Sequence, residues 1–113
     1  MFRNLWASWC HPCREETLYL KKLSEKFKER NDIAFIGISL DESPDKWKKA
    51  LKEDNPIGVQ LIDKGDIVSA SYVANVIPQF VIIDKKGNIV NFDAPRPSDN
   101  ITLEKILNQE LAK

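Results

Sequence analysis

The chain has 113 residues, 42% of them hydrophobic and 30% charged, which is the size and balance of one globular unit with one core. Its 17 basic and 17 acidic residues cancel, so no net field draws it to nucleic acid or to an anionic membrane. No apolar run approaches the about 20 residues of a membrane helix, which speaks against membrane insertion by this segment. The opening MFRNLWASW also lacks the apolar stretch and cleavage site of a signal peptide.

Residues 2–6 are a short apolar-leaning run that reads as a strand leading into WASWCHPC. From residue 11 to 30 the pattern turns helical, and Pro12 suits a first helical turn, where its missing N–H is not needed. IAFIGISL, residues 33–40, is nearly continuously apolar and β-branched, as expected of a strand buried on both faces of a parallel sheet. In DESPDKWKKALKEDNP, Ser43 can cap a helix, Pro44 opens it, and Asn55-Pro56 stops it. Trp47, Ala50 and Leu51 make its apolar stripe. VQLI at 59–62 reads as a short strand and 66–74 as a short helix.

QFVIID, residues 79–84, is a further apolar strand. The turn at 84–88 returns it to IVNF as a hairpin, and DAPRPSDN, with its two prolines, is a loop. Residues 101–111 close the chain as an amphipathic helix with Leu103, Ile106, Leu107 and Leu111 on one side. The order β-α-β-α-(β-α)-β-β-α predicts an α/β fold. Its first strands are parallel and its late hairpin is antiparallel, a mixed β-sheet flanked by helices within one domain, residues 1–113.

Both cysteines of the chain lie in WCHPC, as Cys10 and Cys13. A disulfide across two intervening residues closes so small a loop that it is a poor structural staple. Structural zinc needs four ligands, and besides these thiols the sequence offers one histidine, His11, wedged between them. Haem attachment would need histidine after the second cysteine, where Arg14 stands. Redox chemistry fits better, because a CxxC that opens a helix after a strand places Cys10 before unpaired N–H groups and the positive dipole end, which favour its thiolate. His11 can add to this when protonated, or can be a merely solvated residue. Pro12 stiffens the first turn and keeps the sulfurs at bonding separation.

Helical spacing puts Cys13, Glu16, Leu20, Leu23 and Phe27 on the face that packs on the sheet. Glu16 is therefore expected to be partly buried one turn beyond Cys13, where a desolvated carboxyl can take the proton of that thiol. The alternative is that Glu16 lies at the edge of the stripe and simply favours the helix N-terminus. Trp6 is expected in the core and Trp9 on the rim where a substrate chain lies. Pro78, before the strand QFVIID, suits a first strand position or a loop.

Together, WASWCHPCREE and VIPQFVIIDKKGNIV resemble the thioredoxin superfamily, and specifically its TlpA/ResA-like thiol-disulfide oxidoreductases, over nearly the whole chain. The resemblance implies a thioredoxin-like fold, with Cys10 as the exposed nucleophile and Cys13 as the buried resolving cysteine. It implies that Pro78 is the cis-proline facing the disulfide, that Ile77 contacts the partner protein, and that Glu16 is the acid this branch carries on the helix. Ordinary thioredoxins carry a buried Asp on the strand before the motif, and here that position holds Asn4.

The implied activity is dithiol-disulfide exchange with protein substrates by a reductase that an upstream electron-donor protein keeps reduced. It works outside the cytoplasm, periplasmic or membrane-tethered, without metal, nucleotide or flavin. Two departures stand out. The chain begins nine residues before Cys10, so the family's N-terminal strands are expected to be missing and a sheet edge exposed. Ile77 also stands where relatives often carry a small or polar residue. A thiol peroxidase would need PxxxTxxC and a copper chaperone a second, distant histidine, and the sequence has neither. An oxidase or isomerase using the same site, or a non-catalytic partner-binding module, remains open.

Overall fold

The computed structural model describes residues 1–63, 77–91 and 93–113. The elements in chain order are β1 (Phe2–Trp6), α1 (His11–Glu25), β2 (Phe35–Ser39), α2 (Pro44–Asp54), β3 (Val59–Ile62), β4 (Gln79–Ile83), β5 (Ile89–Asn91) and α3 (Asn100–Leu111). The helix expected at 66–74, like Phe92 at the end of the hairpin, lies outside the described residues.

The strands form one five-stranded sheet in the order β3-β2-β1-β4-β5. β1 pairs in parallel with β2, and β2 with β3, whereas β4 runs antiparallel to both β1 and β5. This is the mixed α/β sheet expected from the alternation of elements and the late hairpin. β1 therefore lies at the centre of the sheet, which is why Phe2 and Leu5 are completely buried on its opposite faces. At the two edges, Val59 and Leu61 of β3 and Ile89 and Val90 of β5 remain exposed.

One face of the sheet builds the main core. Phe2 stacks on Phe80 with centroids 5.7 Å apart and meets Phe35 edge-on at 6.0 Å. Leu20, Leu23 and Phe27 pack onto these rings together with Leu103 and Leu107 of α3. A second cluster joins Trp6, Ala7, Cys10 and Cys13 to Ala50, with Trp47 and Leu51 of α2 at its border.

Local chemistry sets the boundaries. α1 stops at Glu25, short of the expected residue 30, because Lys26 and Phe27 donate their N–H groups to Leu23 and Ser24 at 3.0 Å. Such short-range bonds tighten the chain into turns, yet they keep Phe27 in the core. Ser43 caps α2 by accepting the Lys46 N–H at 3.4 Å, and Asn55 ends it in the left-handed region at φ 44° with its N–H on the Leu51 carbonyl. Gly58, at φ 77°, leads into β3 where any Cβ would stand 2.1 Å from the Phe35 carbonyl oxygen. In the hairpin, Asp84 accepts the backbone N–H groups of Asn88 and Lys86 at 2.9 Å each, and these bonds hold its carboxyl below the usual carboxylate range. The support that Asp84 lends the turn is thus present above the ordinary carboxylate pKa and is lost as pH falls through the lowered one.

Among the described residues no helix is long and apolar enough to cross a membrane. Leu103, fully buried between α3 and the sheet, docks that helix together with Leu107. Leu103→Ala is expected to cost about 3 kcal/mol, read from the midpoint of urea unfolding, as for other large-to-small changes at closed core sites.

Candidate active site

The site stands where β1 ends. Leu40 donates its N–H to the Trp6 carbonyl at 2.8 Å, keeping β1 and β2 together to their last residues. The chain then turns through residues 7–9, and the Cys10 N–H closes the turn on the Ala7 carbonyl at 3.1 Å. Cys10 is the N-cap of α1: its backbone is extended, its carbonyl accepts the Arg14 N–H at 3.2 Å, and its sulfur accepts the Cys13 N–H at 3.3 Å. Pro12 occupies the first turn, where no acidic side chain counters the positive end of the helix.

Cys10 and Cys13 are joined as a disulfide. Both are buried, at 6% and 2% exposure, so Cys10 presents much less surface than the resemblance implied. The reason is its neighbours: Trp6, Ala7 and Ile77 pack around the sulfur pair. The Ile77–Pro78 peptide is cis, and the Ile77 carbonyl oxygen lies 4.0 Å from the Cys10 sulfur. Register explains this approach over such a long sequence separation. β4 is antiparallel to β1 with Leu5 opposite Gln79, so the residues that precede β4 arrive at the point where β1 ends.

Trp6 is buried in the second cluster, whereas Trp9, next to Cys10 in the chain, is 69% exposed. His11 is exposed too, with its Nε2 2.8 Å from Glu15 Oε1. Asn4 is buried within β1. Behind the motif, the Arg14 guanidinium grips Asp54 through two hydrogen bonds of 2.7 and 2.9 Å and so ties the start of α1 to the end of α2. That pairing raises the guanidinium pKa above its ordinary value.

Glu16 lies on the buried face of α1 with Cys13, Leu20 and Leu23, and is only 7% exposed. Its carboxylate is not left bare. Ser98 donates its backbone N–H to Oε1 at 2.9 Å and its hydroxyl to Oε2 at 2.8 Å. Among the described residues no group of three His, Cys, Asp or Glu side chains is placed to hold a metal ion.

Sequence reasoning missed a second buried acid. Asp41, 4% exposed, sits just beyond β2 and accepts the Ser8 N–H at 3.0 Å together with the hydroxyls of Ser8 and Ser39. Its own N–H returns to Ser39 Oγ at 2.9 Å. The carboxylate thus holds the turn that carries Trp9 and Cys10. A signal for it existed in ISLD, where Ser39 interrupts an apolar strand and an acid follows at its carboxyl end, the end at which sites of open α/β sheets gather. Ser98 and Glu15 gave no comparable signal.

A family model described as Redoxin matches residues 2–109. The chain belongs to the redoxin family. Within it, this redoxin is 32% identical over 90 residues to the thiol-disulfide oxidoreductase ResA of a Bacillus cereus strain, an alignment covering 80% of the chain and 51% of that protein. It spans about half the length of the curated relatives it matches.

Among solved structures, the thioredoxin domain of a thiol-disulfide oxidoreductase from Bacteroides vulgatus matches with a TM-score of 0.81 at 30% identity, covering 96% of this chain and 77% of that one. A thiol-disulfide oxidoreductase from Bacteroides fragilis matches with a TM-score of 0.80 at 28% identity, covering 93% and 79%. The resemblance to the TlpA/ResA-like branch of the thioredoxin superfamily and the thioredoxin-like fold therefore hold for this redoxin.

Asp41→Ala would leave the Ser8 N–H and two hydroxyls without their acceptor and is expected to destabilise the oxidised protein by about 2 kcal/mol in urea unfolding. Asp41→Asn keeps an acceptor for the Ser8 N–H and is expected to recover at least half of that loss.

Proposed function

We propose that this redoxin is a single thioredoxin-like domain that exchanges a dithiol for a disulfide with protein substrates, working as a reductase outside the cytoplasm. The observation that carries the reading is the Cys10–Cys13 disulfide at the start of α1, with the Cys13 N–H already on the Cys10 sulfur and the Ile77 carbonyl facing it. In the reduced protein the same N–H and the helix dipole would stabilise a Cys10 thiolate, the form that attacks. His11, held by Glu15, adds positive charge beside the sulfur when protonated and makes the pair more oxidising than a neutral residue would.

The chemistry runs in two displacements. The Cys10 thiolate attacks one sulfur of a partner disulfide, forming a mixed disulfide and releasing the other sulfur as a thiolate that takes a proton from water. Glu16 then accepts the Cys13 proton, and the Cys13 thiolate attacks the Cys10 sulfur. The Cys10–Cys13 bond forms, the second partner sulfur leaves, and two electrons have passed to the partner. The substrate segment lies against the backbone of Ile77 and Pro78 with Trp9 at the rim. An upstream electron-donor protein restores the dithiol by the reverse exchange, and no cofactor takes part.

Reduction of insulin disulfides, combined with a redox titration, tests activity and direction together. Turnover by the wild-type protein and none by Cys10→Ser is expected; equal turnover by both would overturn the reading, as would binding of a partner that alkylation of Cys10 leaves unchanged. In the reduced protein Cys10 should alkylate below pH 7 on the order of tenfold faster than Cys13, and equal slow rates would count against the dipole argument. Glu16→Gln is expected to slow resolution of the mixed disulfide by about 100-fold, the low end of general-base effects, while leaving its formation within a factor of two.

A further inference from the structure

Glu16 poses a problem that its proposed role sharpens. A carboxylate that accepts the Cys13 proton in each cycle must afterwards release it, yet Glu16 is 7% exposed and lies on the sheet-facing side of α1. Among the described residues, the hydrogen bonds to its carboxylate come from Ser98, a residue that is itself exposed to solvent. Ser98 belongs to the loop APRPS, whose prolines otherwise serve only as a turn signal in the sequence.

That loop is held on both sides of the serine. Ala94 donates its N–H to the Phe80 carbonyl of β4 at 2.9 Å, and Pro97 is fully buried. The Asp99 N–H bonds the Arg96 carbonyl at 2.8 Å, and the Leu103 N–H of α3 bonds the Asp99 carbonyl at 3.1 Å. Ser98 is thus delivered to Glu16 by an anchored segment 82 positions away in the chain, and it meets the carboxylate with two different donors. The two bonds have different capacities. The backbone N–H on Oε1 can only donate, so it orients the carboxyl group, whereas the hydroxyl on Oε2 can turn and accept.

We propose that Ser98 is the positioning residue of Glu16 and its proton outlet to solvent. The inference rests on the reading of Glu16 as the base for Cys13. Once Glu16 has taken the thiol proton, its Oε2–H donates to Ser98 Oγ, whose own hydroxyl turns to a solvent water. Transfer of the carboxyl proton to Ser98 Oγ, with release of the serine proton to that water, restores the carboxylate and the neutral hydroxyl. The Ser98 N–H stays on Oε1 throughout. Proton and charge balance without any further reactant, and the same path run backwards returns a proton when the disulfide is reduced.

The test follows the concentration-independent resolution phase after mixing the reduced protein with an excess of a peptide disulfide, read by tryptophan fluorescence. Ser98→Ala keeps the backbone donor and removes the hydroxyl, and is expected to slow resolution about tenfold, a fraction of a full general-base effect. Ser98→Thr keeps the hydroxyl and should restore the rate to within a factor of two or three of wild type. In the Glu16→Gln background, Ser98→Ala should cost nothing more, because the two residues act as one unit.

A slow Glu16→Gln beside a Ser98→Ala that resolves at the wild-type rate would overturn the outlet and leave the base in place. Equal slowing by Ser98→Ala and Ser98→Thr would also overturn it, since a hydroxyl would then be present without effect. A Glu16→Gln variant that resolves normally would remove the base, and the outlet with it.

Discussion

The positive end of one helix is the constraint on which the rest of the site depends. α1 begins with N–H groups that no helical carbonyl can reach, and Cys10 occupies the cap so that its sulfur takes the first of them. A sulfur in that place is held as an acceptor whether it is bonded to Cys13 or free as a thiolate, and the free state gains more because it carries a full charge. Neither Pro12 in the first turn nor the neighbouring His11 brings a negative charge to compete with it. A sulfur placed away from a helix start would lack that field.

Topology then gathers what the sulfur needs. Because β1 is central, its carboxyl end is flanked by the end of β2 on one side and the beginning of β4 on the other. The parallel neighbour supplies Asp41, which grips the turn, and the antiparallel neighbour brings Ile77, whose carbonyl oxygen lies 4.0 Å from the Cys10 sulfur. One strand with neighbours of opposite direction thus puts residues some 30 and some 65 positions from the motif against it. An all-parallel sheet would have brought two carboxyl ends together and left the proline loop at the far edge.

The two buried acids near the site are accommodated by the same device. Ser8 offers both its N–H and its hydroxyl to Asp41, and Ser98 offers both to Glu16. A buried carboxylate without donors is costly, and a serine on a turn supplies two from a single residue while adding little bulk. The consequences differ with the surroundings. Asp41 is further enclosed by Ser39 and acts as a clamp, whereas the serine at Glu16 reaches solvent and leaves that carboxyl chemically accessible.

What the sequence by itself determined was written in local patterns: the alternation of strands and helices, Pro12 and Ser43 at helix starts, Asn55 at a helix end, and a sulfur pair opening a helix. The buried stripe of Cys13, Glu16, Leu20 and Leu23 was equally legible, since helical spacing alone assigns a face. Boundaries were less so; α1 ends five residues early because short-range bonds outcompete a periodicity that Phe27 still satisfies. Only the tertiary structure decided that Asp41 holds the Ser8 turn, that the partner of Glu16 is Ser98, and that Cys10 keeps little exposed surface behind Ile77. These are pairings across 33, 82 and 67 positions. No local pattern marks such pairs, because a hydrogen bond or a packed contact depends on where the sheet places two chain segments and not on the residues that flank either one.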